Sequence, residues 1–68
     1  MTVKELVSIV STYSACKYDI RCPHRGLIYN MRRWDEISNV WKEKEVLYAI
    51  PMNVIDAQIT SWIICVNG

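Results

Sequence analysis

Glycine and proline are scarce in this chain, with two of each among 68 residues, while half of the residues are hydrophobic. Disordered and low-complexity segments show the reverse balance, so the chain folds. The same scarcity removes phosphate-binding glycine loops, because Gly26 and Gly68 stand alone and far apart. Long apolar runs are missing too. Gln58, Thr60 and Ser61 interrupt the most hydrophobic stretch, well short of the roughly 18 residues a membrane helix requires. The first residues lack the basic and apolar regions of a signal peptide. Three cysteines, Cys16, Cys22 and Cys65, cannot all pair within one chain, and the expectation is a soluble protein of a reducing host cytoplasm. A net charge of +1 excludes a strong general pull on nucleic acid and equally the acidic bulk of a nucleic-acid mimic.

What the chain has in quantity is β-branched and aromatic side chains, densest at its end. Gln58 to Val66, closed by Asn67-Gly68, is a strand whose two alternating sets are both apolar: Ile59, Ile63 and Cys65 against Trp62, Ile64 and Val66. Such a strand belongs in a sheet interior, with a helix on one side and a second layer or partner subunit on the other. A single domain spanning residues 1–68 hides only roughly 60% of its unfolded surface, and small cores of this kind usually need a disulfide, a metal or oligomerisation.

In chain order, Thr2-Val3-Lys4-Glu5 has the form of a capping box, and Val3, Leu6, Val7 and Val10 make one helical stripe, predicting a helix over about Val3 to Ser11. Ser11, Thr12 and Ser14 compete for backbone hydrogen bonds and end it. Cys16, Tyr18, Ile20 and Cys22 then alternate with Lys17, Asp19 and Arg21, a strand with one buried and one wet face. Pro23-His24-Arg25-Gly26 is a turn into Leu27 to Met31, whose Leu27, Tyr29 and Met31 are expected to face the core. Trp34-Asp35 opens a helical segment reaching Lys42, with Asp35 as N-cap and Ile37, Val40 and Trp41 as its apolar side. Glu45 to Ile50 is a further strand, stopped by Pro51, and Met52 to Ala57 turns into the final strand. The expected fold is α+β: an antiparallel four-stranded sheet of two β-hairpins, packed by the N-terminal helix, with a short second helix between the hairpins.

Chemistry finds little support. Cys16 and Cys22 on one strand lie roughly 20 Å apart, too far to share a metal. Cys22, His24 and Cys65 could converge, but no fourth ligand offers itself. His24 has no evident orienting group for catalysis with Cys22, and Glu43 and Glu45 flank Lys44 as a solvated face. No catalytic residue, cofactor or metal is expected. Residues 17–33 hold Lys17, Arg21, Arg25, Arg32 and Arg33 against the single carboxylate Asp19. This basic hairpin suits acidic protein or, secondarily, phosphate, or is simply a solvated edge. Its Tyr18 and Tyr29 alternate towards the core, which leaves base stacking unsupported. Trp34 and Trp41, seven apart on one helical stripe, either fill the gap between the second helix and the sheet or leave Trp34 or Trp62 partly exposed as an interface anchor. Trp and Arg dominate binding hot spots, so Arg21, Arg25, Arg32, Arg33, Trp34 and Trp62 are the candidate partner-binding residues. A homodimer would supply the second layer that the last strand demands.

Thr2-Val3-Lys4-Glu5-Leu6-Val7, Ile20-Arg21-Cys22, Gly26-Leu27-Ile28-Tyr29, Glu45-Val46 and Trp62-Ile63-Ile64-Cys65-Val66 together resemble the layout of small phage and prophage proteins, in which a short "TVKEL" helix precedes two hairpins separated by a brief helical link. The resemblance implies a phage origin and a non-enzymatic protein that binds and blocks a host protein or ribonucleoprotein machine, as anti-CRISPR inhibitors do. The alternatives are a nucleic-acid-binding regulatory module and a structural homo-oligomer of a phage particle.

Overall fold

The computed structural model describes the backbone of residues 1–10, 16–55 and 58–68, and the side chains of these except 53–60. The capping box forms as expected. The Glu5 amide donates to Thr2 Oγ1 at 3.2 Å and the Thr2 amide to Glu5 Oε1 at 3.1 Å, starting α1 (Val3–Val10). Val3 and Val7 are buried and Leu6 and Val10 half-buried, so the predicted stripe faces inward. The serines and threonine expected to end this helix lie outside the described residues.

Four strands follow: β1 (Lys17–Cys22), β2 (Gly26–Arg32), β3 (Glu45–Ile55) and β4 (Gln58–Asn67), in the sheet order β2-β1-β4-β3. Both hairpins are antiparallel, and β4 is interior, as its two apolar faces require. The sheet as a whole is mixed, not antiparallel, because β1 and β4 run parallel from Lys17↔Ser61 to Arg21↔Cys65. The path of residues 33–44 is the cause. β2 ends beside the start of β1, at Tyr18↔Arg32, whereas β3 starts beside the end of β4, at Glu45↔Asn67. The link climbs the full length of the sheet before β3 begins, which turns the second hairpin end for end.

That climb also breaks the expected second helix into two pieces. Trp34–Glu36 is one turn of 3-10 helix and α2 (Asn39–Lys42) one turn of α-helix. Asp35 is not the N-cap; Arg33 and Ser38 hold the two cap positions, both extended. Ile37, between them, has ψ 130° and buries its side chain to 3% exposure, a position that a continuous helix would deny it. Ser38 donates its amide to the Tyr29 hydroxyl at 3.2 Å.

Three further expectations change. Leu27 and Met31 face solvent, at 51% and 40% exposure, and only Tyr29 of the expected β2 trio turns inward. Two register shifts in the β1–β2 ladder are responsible: Arg21 pairs with Leu27, Ile20 with Tyr29, and Tyr18 with Arg32. Met31 takes φ +53° within the second irregularity, and its amide donates to Asp19 Oδ1 at 2.6 Å. Asp19, expected on the wet face, is thereby 8% exposed. Lastly, Pro51 does not stop β3, which continues to Ile55; as an edge strand it tolerates a residue without an N–H. Met52 to Ile55 are consequently strand, and the rest of the expected turn, residues 56–57, lies outside the described residues.

The core lies on one side of the sheet. Val3 and Val7 of α1 and Ile37 of the link meet Cys16, Tyr18, Ile20, Cys22, Ile64 and Val66 there. Tyr18 stands edge-on to Trp34, ring centroids 6.1 Å apart, while Trp41 and Trp62 pack at the margin. The three cysteines are free and buried.

Candidate functional site: an open sheet face

Residues paired across adjacent strands point to the same side of a sheet, so the register defines the face opposite the core. It holds Lys17, Asp19 and Arg21 on β1, Ser61, Ile63 and Cys65 on β4, Leu27 on β2, and Tyr48, Ile50 and Met52 on β3. Both helices and the 3-10 turn lie on the core side, and no described element covers this face. Leu27, Tyr48, Ile50 and Met52 are 40–53% exposed, and Ile63 is half-buried between them. The hydrophobic side chains concentrate on β3 and β4, the charged ones on β1. Asp19 accepts from the Met31 amide, and its other oxygen lies 3.7 Å from Arg21, so these two charges offset one another and Lys17 leaves the β1 row with one positive charge.

At the upper end of this face, Arg21, Cys22, Pro23, Gly26, Leu27, Tyr48 and Cys65 line an open hollow of about 500 Å3. Gly26, with φ +79°, lets the β1–β2 turn close tightly beside it. A hydrogen bond with the Cys65 thiol pushes the Tyr48 phenol above the usual tyrosine range. The His24 backbone amide, ahead of Arg25, holds the Cys22 thiol below the usual range, but Cys22 is 2% exposed and its Sγ lies 3.7 Å from the Gly68 carbonyl oxygen. Access, not acidity, limits its nucleophilicity. Among the described residues no three His, Cys, Asp or Glu side chains group as metal ligands. The hollow has the attributes of a socket for a bulky side chain: an apolar floor, a guanidinium and a phenol at its rim, and room.

The six residues expected to bind a partner do not form one surface. Arg21 stands on the open face. Arg25 lies in the turn, its Cζ 5.9 Å from the Trp41 ring centroid. Arg32 and Arg33 are at the opposite end, where Arg32 faces Glu36 at 3.6 Å and the Arg33 amide donates to Glu36 Oε1 at 3.2 Å. Trp34 is half-buried over Tyr18 with Lys42 Nζ 4.4 Å from its ring centroid, and Trp62 is half-buried on the core side. Both tryptophans spend much of their surface inside the fold. The residues that compose the open face, Leu27, Tyr48, Ile50, Met52 and Ile63, were absent from the expected set. Their signal was the two-faced pattern of the last strand, which announces an uncovered side without saying which neighbours line it.

The fold and face define an α+β domain with a mixed four-stranded sheet, one side of which is covered by none of the described helices. Compared with known families, with curated proteins and with solved structures, the chain matches none. Among the described residues no helix is long and apolar enough to cross a membrane.

Proposed function

We propose that the chain is a non-enzymatic interaction protein whose contact surface is the open face of its sheet. The observation that carries this reading is the exposure of Tyr48, Ile50 and Met52 along the edge strand β3, with Leu27 on the same side of β2, the kind of apolar exposure that marks an interaction site on a small domain. The socket beside Tyr48 and Cys65 suits the anchoring aromatic or aliphatic side chain on which such contacts depend. In the version implied by the resemblance to small phage proteins, the complex blocks a host protein or ribonucleoprotein machine, and the arginines contribute at the rim. Rim charges of this kind set encounter rate and orientation more than affinity.

The test is capture from host lysate by tagged wild type, Ile50→Glu/Met52→Glu and Arg32→Glu/Arg33→Glu, each with and without nuclease. The reading requires protein capture that survives nuclease and is lost with Ile50→Glu/Met52→Glu. Capture abolished only by Arg32→Glu/Arg33→Glu would move the surface to the basic end. Recovery of nucleic acid alone, lost at moderate salt, would replace the reading with a nucleic-acid module.

A further inference from the structure

We infer that the hollow at the upper end of the open face binds an aromatic carboxylate, with the ring on its apolar floor and the carboxylate on Arg21. The inference rests on the reading of that face as the contact surface and names the chemistry its socket selects.

The hollow is the product of one transverse row of the sheet. Leu27 pairs with Arg21, Arg21 with Cys65 and Cys65 with Tyr48, so each of the four strands contributes one residue. Adjacent strands lie about 4.8 Å apart, which sets the backbones of Arg21 and Tyr48 roughly 10 Å from each other across Cys65. Cys65 carries the smallest side chain of the four and is 4% exposed, whereas Leu27 and Tyr48 are 51% and 53% exposed. Long side chains beside a short one leave a depression. Pro23 and Gly26 of the β1–β2 turn bound it, and nothing lies within 4 Å of where a Gly26 Cβ would stand. Its volume of about 500 Å3 falls in the range of ligand sites, roughly 300–1,000 Å3.

The polar groups at its rim select the ligand. The Arg21 side chain is half exposed, and its approach to Asp19 Oδ2, at 3.7 Å, is longer than a hydrogen bond. The planar fork of donors therefore remains available, and a carboxylate takes such a fork in two parallel bonds. No carboxylate is among the described residues that line the hollow. A dianionic phosphate is matched less well, because Asp19 offsets part of the Arg21 charge and Lys17 stands roughly 13 Å back along β1. Arg25 is turned instead towards Trp41. On the far wall Tyr48, whose phenol bonds the Cys65 thiol, offers an aromatic ring. A ligand ring gains an edge or offset contact there that an alkyl chain lacks.

Amide chemical shifts of isotope-labelled protein, titrated separately with phenylacetate, phenylacetamide and inorganic phosphate, read the outcome. Phenylacetate should bind saturably, move the amides of Arg21, Leu27, Tyr48 and Cys65, and bind at least about fivefold tighter than phenylacetamide. Phosphate should not move them. Arg21→Gln should abolish the preference for acid over amide and leave the amide's affinity unchanged, which a merely structural role would not do. Lys17→Gln, the same change of charge on the same strand, should preserve the preference. Leu27→Ala, which trims an exposed wall, should weaken acid and amide alike. A capped peptide ending in a free phenylalanine carboxylate separates the two sources of such a ligand. Binding at least about tenfold tighter than phenylacetate assigns it to the C-terminus of a partner chain, and no gain assigns it to a free acid. Shifts that do not saturate, or equal affinity of the wild type for acid and amide, overturn the inference. In that event, lysate capture lost with Ile50→Glu/Met52→Glu but kept by Arg21→Gln leaves the contact surface standing. Capture indifferent to Ile50→Glu/Met52→Glu overturns that surface as well.

Discussion

The two faces of this sheet are built from similar side chains and have opposite fates. On one, Ile20, Ile64 and Val66 are sealed at 0% exposure beneath α1 and Ile37; on the other, Ile50 and Met52 stand at 47% and 40%. Composition does not separate them. The described cover does: α1 and a link that climbs the length of β1 lie over one side, and no described helix lies over the other. Hydrophobic residues on a strand thus record that burial is required, while the layer that provides it is a property of the path taken by the rest of the chain.

The largest expected effect tests this contrast directly. Ile64→Ala should cost about 2–5 kcal/mol in urea unfolding, since it opens a cavity in the sealed layer. Ile50→Ala in dilute protein should cost no more than about 0.5 kcal/mol. Equal losses would mean that the open face is covered within the monomer.

Asp19 is buried on this side of the sheet, as are Ser61 and Cys65 of β4 beside it. Asp19→Ala removes the acceptor of the Met31 amide and should cost about 1.5–3 kcal/mol, with Asp19→Asn retaining part of that. If Asp19→Ala were silent, the irregularity at Met31 would be held by the ladder alone.

A smaller effect belongs to the covering layer. Thr2→Ala should destabilise by about 1 kcal/mol through loss of the α1 cap. Thr2, through its amide and then its hydroxyl, holds the Glu5 carboxyl below the usual range. A lowered pKa stabilises the folded state above the ordinary carboxylate range, and that contribution disappears as pH falls through the folded value. The wild type should therefore lose its advantage over Glu5→Gln on acidification below the usual carboxylate range, read as the thermal midpoint against pH.

The smallest effect is spectroscopic. Ser38, through its hydroxyl and its amide, holds Tyr29 on the core side below the usual tyrosine range, while Cys65 pushes Tyr48 on the open face above it. In an absorbance titration the Tyr29→Phe variant should lose the early part of the phenolate signal and Tyr48→Phe the late part. The raised Tyr48 value favours the folded state below the ordinary tyrosine pKa, and that preference fades as pH climbs through the folded value. Reversed order would mean that the Tyr48–Cys65 contact is absent in solution.

Local order was legible in the residues. The Thr2/Glu5 box, the Val3-Leu6-Val7-Val10 stripe and the Cys16-Tyr18-Ile20-Cys22 alternation each state a period and a boundary within a few positions, and each is formed. The candidate site was only half legible. The pattern of β4 called for cover on both sides, but the expected contact residues were chosen by type, as arginine and tryptophan. The fold uses Trp34 and Trp62 largely as packing and sets the arginines at different ends.

The capping and stripe of α1, the existence of the four strands and the inward face of β1 were determined by the sequence itself, because they depend on neighbours within one turn or one pleat. The tertiary structure alone decided that β4 runs parallel to β1, that Leu27 and Met31 turn outward, and that Asp19 is enclosed. Those outcomes follow from the climb of residues 33–44 and from two register shifts in the first hairpin. Both are long-range balances of burial and hydrogen bonding, and no short segment of the chain carries their signature.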